Sequence, residues 1–349
     1  MRVDRKTLHN LIAKKLHKAG LSKEHADIAA DALAFADARG IHSHGAVRVE
    51  YYSERIAKGG MTTNPNITYK ETGPASAILD FDNGCGLVGA KIGMDKAIEL
   101  AKKNGVAVVG IRRMSHSGSL CYFTEMAAAH NLVAISMCQS DPMAVPFGGA
   151  EEFFGTNPIA FAAPSADERV VSFDMATTVQ AWGKVLYARS KGAAIPPTWA
   201  VDEQGEATTD PYKVNALLPI ADAKGYGLMM MVDVLSGILL GVPFGKNVSS
   251  MYADLSKGRD LGHLHIVINP EYFVGLEVFK KSMSAMLDQL KQVKPAKGNS
   301  EVFFPGERGK KREADYIKNG IEIVDDIYQY LISDDVHFDR YDHKNKFAE

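Results

Sequence analysis

The sequence predicts a mixed α/β fold in which helical ends enclose an α/β centre. Three observations carry this reading. Apolar residues recur at helical spacing at the start of the chain and again near its end. Between those ends the period shortens and β-branched runs appear. Helical segments separate some of these runs, as in a layered α/β core.

Each element has a local reason. Leu8, Leu11, Ile12 and Leu16 form one helix face, and Gly20 stops that helix. Ser22 is placed to cap a second helix running to about Arg39, with Gly40 beyond it. A third helix is expected over 45–57, ending at Lys58-Gly59-Gly60. Strand-like runs follow at 75–81, 106–111, 132–137, 159–163 and 170–173, with a helix over 87–103. Residues 192–211, GAAIPPTWAVDEQGEATTDP, are turn-rich and polar and read as a surface loop. A long helix is expected from about Gly225, a strand over 263–268, and a helix over 275–291 that KPAKGNS breaks. VDDIYQYLIS near the end is helical again. This order predicts a discontinuous helical unit, 1–75 with about 276–349, wrapped on a central α/β unit over 76–275.

The chain has 349 residues, enough for a sizeable core. Its 46% apolar and 23% charged content is ordinary for a globular protein. A net charge of −2 gives no global field to attract nucleic acid or an anionic membrane. Cys85, Cys121 and Cys138 are too few and too widely spaced for a disulfide framework or a zinc cluster. Reduced thiols in a cytoplasmic protein are the simplest reading. The N-terminal stretch lacks an apolar signal-peptide core. The longest apolar stretch, 228–244, is interrupted by Asp233 and ended by Pro243, and it reads as a buried core helix.

Gly84-Cys85-Gly86-Leu87-Val88-Gly89 matches G-x-G-x-x-G. A dinucleotide fingerprint also needs an acid at the end of the next strand, about 20 residues on. Here that strand ends in Arg112-Arg113. An arginine suits a 2′-phosphate, so this feature alone does not close the question. Asp80 and Asp82 in the preceding strand are unusual for a strand buried on both faces. The glycines read better as a turn into the following helix.

Chemistry-bearing residues are denser elsewhere. ARGIHSHGAVRVEYY concentrates His42, Ser43, His44, Arg48 and Tyr52. On a helix, Arg48 and Tyr52 share a face at i, i+4. An arginine fork there can hold a small carboxylate; a solvated helix with ordinary surface residues is the competing reading. His116 follows the strand end in VAVVGIRRMSHSGSL, where α/β folds favour ligands and a histidine can accept a proton. A simple loop-capping histidine competes. A third group places Ser140, Asp141, Thr156, Asn157 and Asp174 at expected strand ends, and Lys224 opens a helix. Turn chemistry alone competes there. His42-Ser43-His44 with His116 and Asp174 also permits a metal-dependent hydrolase, although a helical setting would splay the two rings of the H-x-H.

The chain resembles the second-type malate/L-lactate dehydrogenase family, which is unrelated to the Rossmann lactate dehydrogenases. The carrying blocks are ADARGIHSHGAVRVEYY, ISMCQSDPM, VPFGGAE, GTNP, FDMATTVQAWGKV, KGYGLMMMVDVLSGILLG and GIEIVDDIYQYLISD. The resemblance implies a non-Rossmann cofactor domain with NAD extended across a largely antiparallel sheet. It implies cofactor contacts at Ser140, at Asp174, Met175 and Ala176, at Lys224, and at Gly306 and Glu307. Asp141 beside the cofactor block would repel a 2′-phosphate and favour NAD over NADP. The implied reaction is oxidation of (S)-ureidoglycolate to oxalurate in allantoin breakdown. His116 would be the base, with His44 the rival proton carrier. Arg48 would clamp the carboxylate, and Ser43 and Tyr52 would hydrogen-bond the substrate. No metal is implied, and a cytoplasmic homodimer is. Malate, lactate, sulfolactate or diketogulonate are the alternative substrates within the class.

Overall fold

The computed structural model describes residues 1–343. Arg2–Val3 (β1) leads into helix Arg5–Ala19 (α1), capped by Asp4, which accepts the Thr7 N–H at 2.9 Å. Ser22 caps Lys23–Ala38 (α2) in the same way through the His25 N–H at 3.1 Å. The third helix, Arg48–Lys58 (α3), starts three residues later than expected, behind a 3₁₀ turn at His42–His44. The cause is Asp37. Its buried carboxylate accepts the Ala46 N–H at 2.7 Å and occupies the space that a Cβ on Gly45 would take.

A hairpin of Thr68–Gly73 (β2) and Ser76–Gly84 (β3) precedes Gly86–Asn104 (α4) and Val106–Met114 (β4). Then come Cys121–Ala129 (α5), Val133–Cys138 (β5), Ile159–Pro164 (β6) and Val170–Met175 (β7). Trp182–Lys191 (α6), Ala200–Val201 (β8) and Ala216–Leu217 (β9) form a side lobe around Phe154, Val185 and Leu217. Ala223–Ser236 (α7), Leu261–Ile268 (β10) and Leu276–Gln292 (α8) follow. Glu307–Asn319 (α9), Ile321–Glu322 (β11) and Asp325–Ile332 (α10) close the described chain.

Seven strands make one sheet in the order β2-β3-β4-β10-β5-β6-β7. Only β3 and β4 run parallel; every other neighbouring pair is antiparallel. The glycine motif therefore sits in a genuine β3-α4-β4 crossover, but β4's other neighbour, β10, is antiparallel. A doubly wound parallel sheet does not continue from it.

The chain ends meet. β1 pairs with β11, and Lys15 donates to the carbonyls of Ser333 and Asp335 at 2.8 and 2.7 Å. Helix α8, assigned above to the helical unit, instead docks on the central part. Ser284 accepts the Ala166 N–H, Arg169 pairs with Asp288 at 2.7 Å, and Lys280 donates to Asn131. Positions 344–349 of that unit lie outside the described residues.

The apolar stretch read as a buried core helix is only half so. One side of α7 is covered, with Val232 packed on the sheet and Met229 in the side lobe, both fully buried. Leu228 and Val234 of α7 are exposed, as are Ile238 and Leu239 in the 3₁₀ turn after it. An all-round apolar helix signals burial on all sides, and within one chain only one side is covered.

Candidate active site

Three segments far apart in sequence converge beside the β4 end: the 42–52 segment, the loop after β4, and residues 251–259. The i, i+4 placement of Arg48 and Tyr52 on α3 holds. Buried Tyr52 brings its Oη to 2.7 Å from His116 Nδ1. His44 stacks on His116 with ring centroids 5.5 Å apart, and Ser43 Oγ lies 2.9 Å from His44 Nδ1.

The half-buried Arg48 has no carboxylate partner among the described residues. Its Nε donates to the Ser43 carbonyl at 2.7 Å and its Nη1 to Tyr252 Oη at 2.9 Å. Its Nη2 meets no acceptor there. A cation held on one edge by neutral oxygens, with its other edge open, suits a small carboxylate.

Both histidines are neutral at ordinary pH. Burial, then the Arg48 charge, brings His44 down to about 3. Burial, then His44, Arg48 and Arg259, holds His116 well below the usual histidine value. The Gly118 N–H points at His116 Nδ1 from 3.3 Å. Nδ1 is thus the accepting nitrogen, Tyr52 donates to it, and the ring proton sits on Nε2. Tyr52 is pushed well above its usual pKa by burial, so its hydroxyl keeps its proton.

The His116 loop is tightly anchored. The Gly86 N–H donates to Ser115 Oγ at 2.9 Å. A Cβ on Gly86 would stand 2.1 Å from the Ser115 carbonyl oxygen and 2.6 Å from that of His116. A Cβ on Gly89 would strike the Phe81 ring. The glycine motif is thus a close-packing device that presses α4 against this loop. Asp80 holds both Arg112 and Arg113, at 3.0 and 2.7 Å, so neither is a free 2′-phosphate receptor.

The expected cofactor residues lie along β7 and its neighbours. Ser140 donates its N–H to Asn157 Oδ1 at 3.3 Å, and its Oγ lies 3.1 Å from Thr156 Oγ1. Asn157 also donates to the Met229 carbonyl of α7, and Thr177 donates to the Thr156 carbonyl. GTNP is therefore the hub joining β5, β7 and α7. Asp174 accepts Ser119 Oγ–H at 3.0 Å and the Cys121 N–H at 3.1 Å, linking β7 to the His116 loop. Met175 and Ala176 are half-buried beside it. Lys224 is exposed in the first turn of α7, with no ion-pair partner among the described residues. Gly306, at φ 93°, leans on Ser172, where a Cβ would meet the Ser172 carbonyl oxygen at 2.9 Å. Glu307 is engaged by Lys291 and Lys311 at 2.9 and 3.1 Å.

Two residues stand apart from the roles expected of them. Asp141 is buried, and its oxygens meet Arg259 at 3.3 Å and the Met251 N–H at 3.0 Å. Its charge is met within the protein, in an ion pair with Arg259. His42 turns away from His44 to bond Asp37 at 2.9 Å. The rings of His42, His44 and His116 do not converge, and no metal-binding cluster occurs among the described residues. Tyr252 and Arg259 carry no sequence signal because each is an isolated residue far from its partner, 204 positions for Tyr252 and Arg48 and 118 for Arg259 and Asp141; only the tertiary fold signals them.

The chain has clear relatives. Residues 3–332 match the family described as malate/L-lactate dehydrogenase. Ureidoglycolate dehydrogenase (NAD(+)) of Escherichia coli (strain K12) is 59% identical over 349 residues, covering 100% of both chains. Malate dehydrogenase of Pyrococcus horikoshii is 38% identical over 341 residues, 95% of this chain and 94% of that one. The solved sulfolactate dehydrogenase from Methanocaldococcus jannaschii superposes with a TM-score of 0.89 at 37% identity, covering 95% of each chain.

Proposed function

The chain belongs to the malate/L-lactate dehydrogenase family, and on that premise we propose that it oxidises (S)-ureidoglycolate to oxalurate with NAD. The observation that carries this reading is the half-buried Arg48, without an acid partner among the described residues, beside the Tyr52–His116 pair. The full-length likeness to a ureidoglycolate dehydrogenase supports the substrate and the cofactor.

The donor set along β7 fits a dinucleotide. Lys224 offers an ammonium without an ion-pair partner among the described residues for a phosphate, and Ser140 a hydroxyl, while the missing side chain of Gly306 lets its loop seat against Ser172 of β7. This is a site outside any Rossmann fingerprint. Bound NAD supplies the hydride acceptor. The protein supplies the rest. Arg48 holds the substrate carboxylate and so fixes C2. As hydride leaves C2, the hydroxyl proton passes to Tyr52 Oη while the Tyr52 proton moves to His116 Nδ1. His116 is the base and Tyr52 the relay. His44 stacks on the ring that becomes charged, and Ser43 orients His44.

A second copy of the chain covers the outer face of α7 and of the segment that follows it to Phe244. The support is the exposed row Leu228, Val234, Ile238, Leu239 and Phe244. Three buried, unpaired cysteines suit a reducing cytoplasm. The division into a helical and a central unit rests on the meeting of the chain ends. NADH formation with ureidoglycolate, malate, lactate and sulfolactate tests the reading. Ureidoglycolate should give the highest kcat/KM, and a higher value for any other acid replaces it.

A further inference from the structure

Behind the His116 loop lies a polar chain that the sheet does not need. His263 and His265 sit two apart on β10, on one face, both fully buried. His265 Nε2 lies 2.9 Å from the Ala90 carbonyl oxygen of α4, so it must donate. His265 Nδ1 then accepts, and Ser136 Oγ, at 2.9 Å, gives it its only proton. Ser136 Oγ can therefore only accept from His263 Nε2, at 2.7 Å. His263 Nδ1 is left as an acceptor, and Ser117 Oγ–H fills it at 3.2 Å. Every tautomer in the chain is fixed by one helix carbonyl. Burial lowers both rings, His265 to about 4, so the chain stays neutral and its direction does not reverse.

Ser117 is the residue after His116. Ser115, Ser117 and Ser119 are all buried, and each is tied to a different wall: Gly86, His263 and Asp174. Among the described residues the His116 ring is hydrogen-bonded only by Tyr52 and the local Gly118 N–H, with His44 stacked on it. Two imidazoles and a serine in an apolar layer are costly unless fully paired. Aliphatic residues would fill the layer without that requirement.

We propose that His263 is a positioning residue for His116, acting through Ser117, with Ser136 and His265 fixing its tautomer. The proposal rests on the reading of His116 as the base. Because the Tyr52–His116 bond must survive proton transfer, a loosened loop should slow the chemical step more than it weakens binding.

The test uses the full-length protein, ureidoglycolate as substrate, and NADH affinity from its fluorescence. Ser117→Ala, which removes one oxygen, should lower kcat about tenfold or more with little change in KM or NADH affinity. His263→Leu should do the same. His263→Asn keeps an oxygen where Nδ1 stood and should recover much of the loss. In a His116→Ala background, Ser117→Ala should cost nothing further, because the group it positions is gone. Near wild-type kcat in Ser117→Ala, or the same fold-loss in both backgrounds, overturns the proposal. Should His263→Leu fail to fold, Ser117→Ala alone decides. A His116→Ala protein with full kcat instead overturns the base assignment, a separate outcome.

Discussion

Tyr52 Oη stands 2.7 Å from His116 Nδ1, and the Gly118 N–H faces the same nitrogen. The tyrosine hydroxyl is therefore the donor and lies on the proton's path to the imidazole. Tyr52→Phe should lower kcat by about 10²-fold or more with a smaller change in KM. Full kcat in that variant would mean that His116 collects the proton directly or that His44 carries it. A dead His44→Ala beside an active His116→Ala would identify His44.

The rate of oxidation should rise with pH through the His116 pKa. That pKa lies below the ordinary ~6.5, because burial and the neighbouring His44, Arg48 and Arg259 disfavour the imidazolium. Rate is thus lost only as pH falls below the ordinary histidine range. An acid limb of kcat/KM centred above that range would show that another group titrates.

Arg48→Ala should remove the carboxylate clamp. Losing one partner of a desolvated charge pair costs roughly 2–5 kcal/mol. Most of that loss should raise KM for the substrate, while NADH affinity stays near wild type. An unchanged KM would place the substrate carboxylate elsewhere.

Gly86→Ala tests the glycine motif. Neither Gly84 nor Gly86 has a positive φ, so no left-handed strain is expected. The cost comes from the 2.1 Å approach to the Ser115 carbonyl oxygen. Overpacking of this kind costs about 1–3 kcal/mol. Because the displaced backbone carries His116, kcat should fall alongside stability. Lost NADH affinity at unchanged stability would make the motif a cofactor site after all.

His265 should make the fold acid-sensitive. Its pKa is about 4 in the fold, through burial, and ~6.5 when unfolded. Between those values the unfolded chain binds the proton first, so stability falls as pH drops through that window. The full effect is on the order of 3 kcal/mol. Denaturant midpoints measured across this range should flatten in His265→Leu relative to wild type. An identical slope in both proteins would rule out this contribution.

The sequence by itself determined the local elements that carry their own signals. Asp4 and Ser22 cap the first two helices, Gly20 ends one, and the β-branched runs became β3 to β7 and β10. It failed at β2, a polar edge strand, and at α9, a charged helix with no buried residue, because neither shows apolar periodicity. It also gathered His44, Arg48, Tyr52 and His116 as chemistry-bearing residues. Only the tertiary structure decided what they do. Asp37 draws His42 away, Arg259 takes Asp141, and Tyr252 braces Arg48, each across a span of sequence or a turn that no periodicity encodes. Spacing along the chain fixes which side chains share a face of one helix or strand. Which faces meet is set by packing and by pairing buried charge, and those depend on the whole fold.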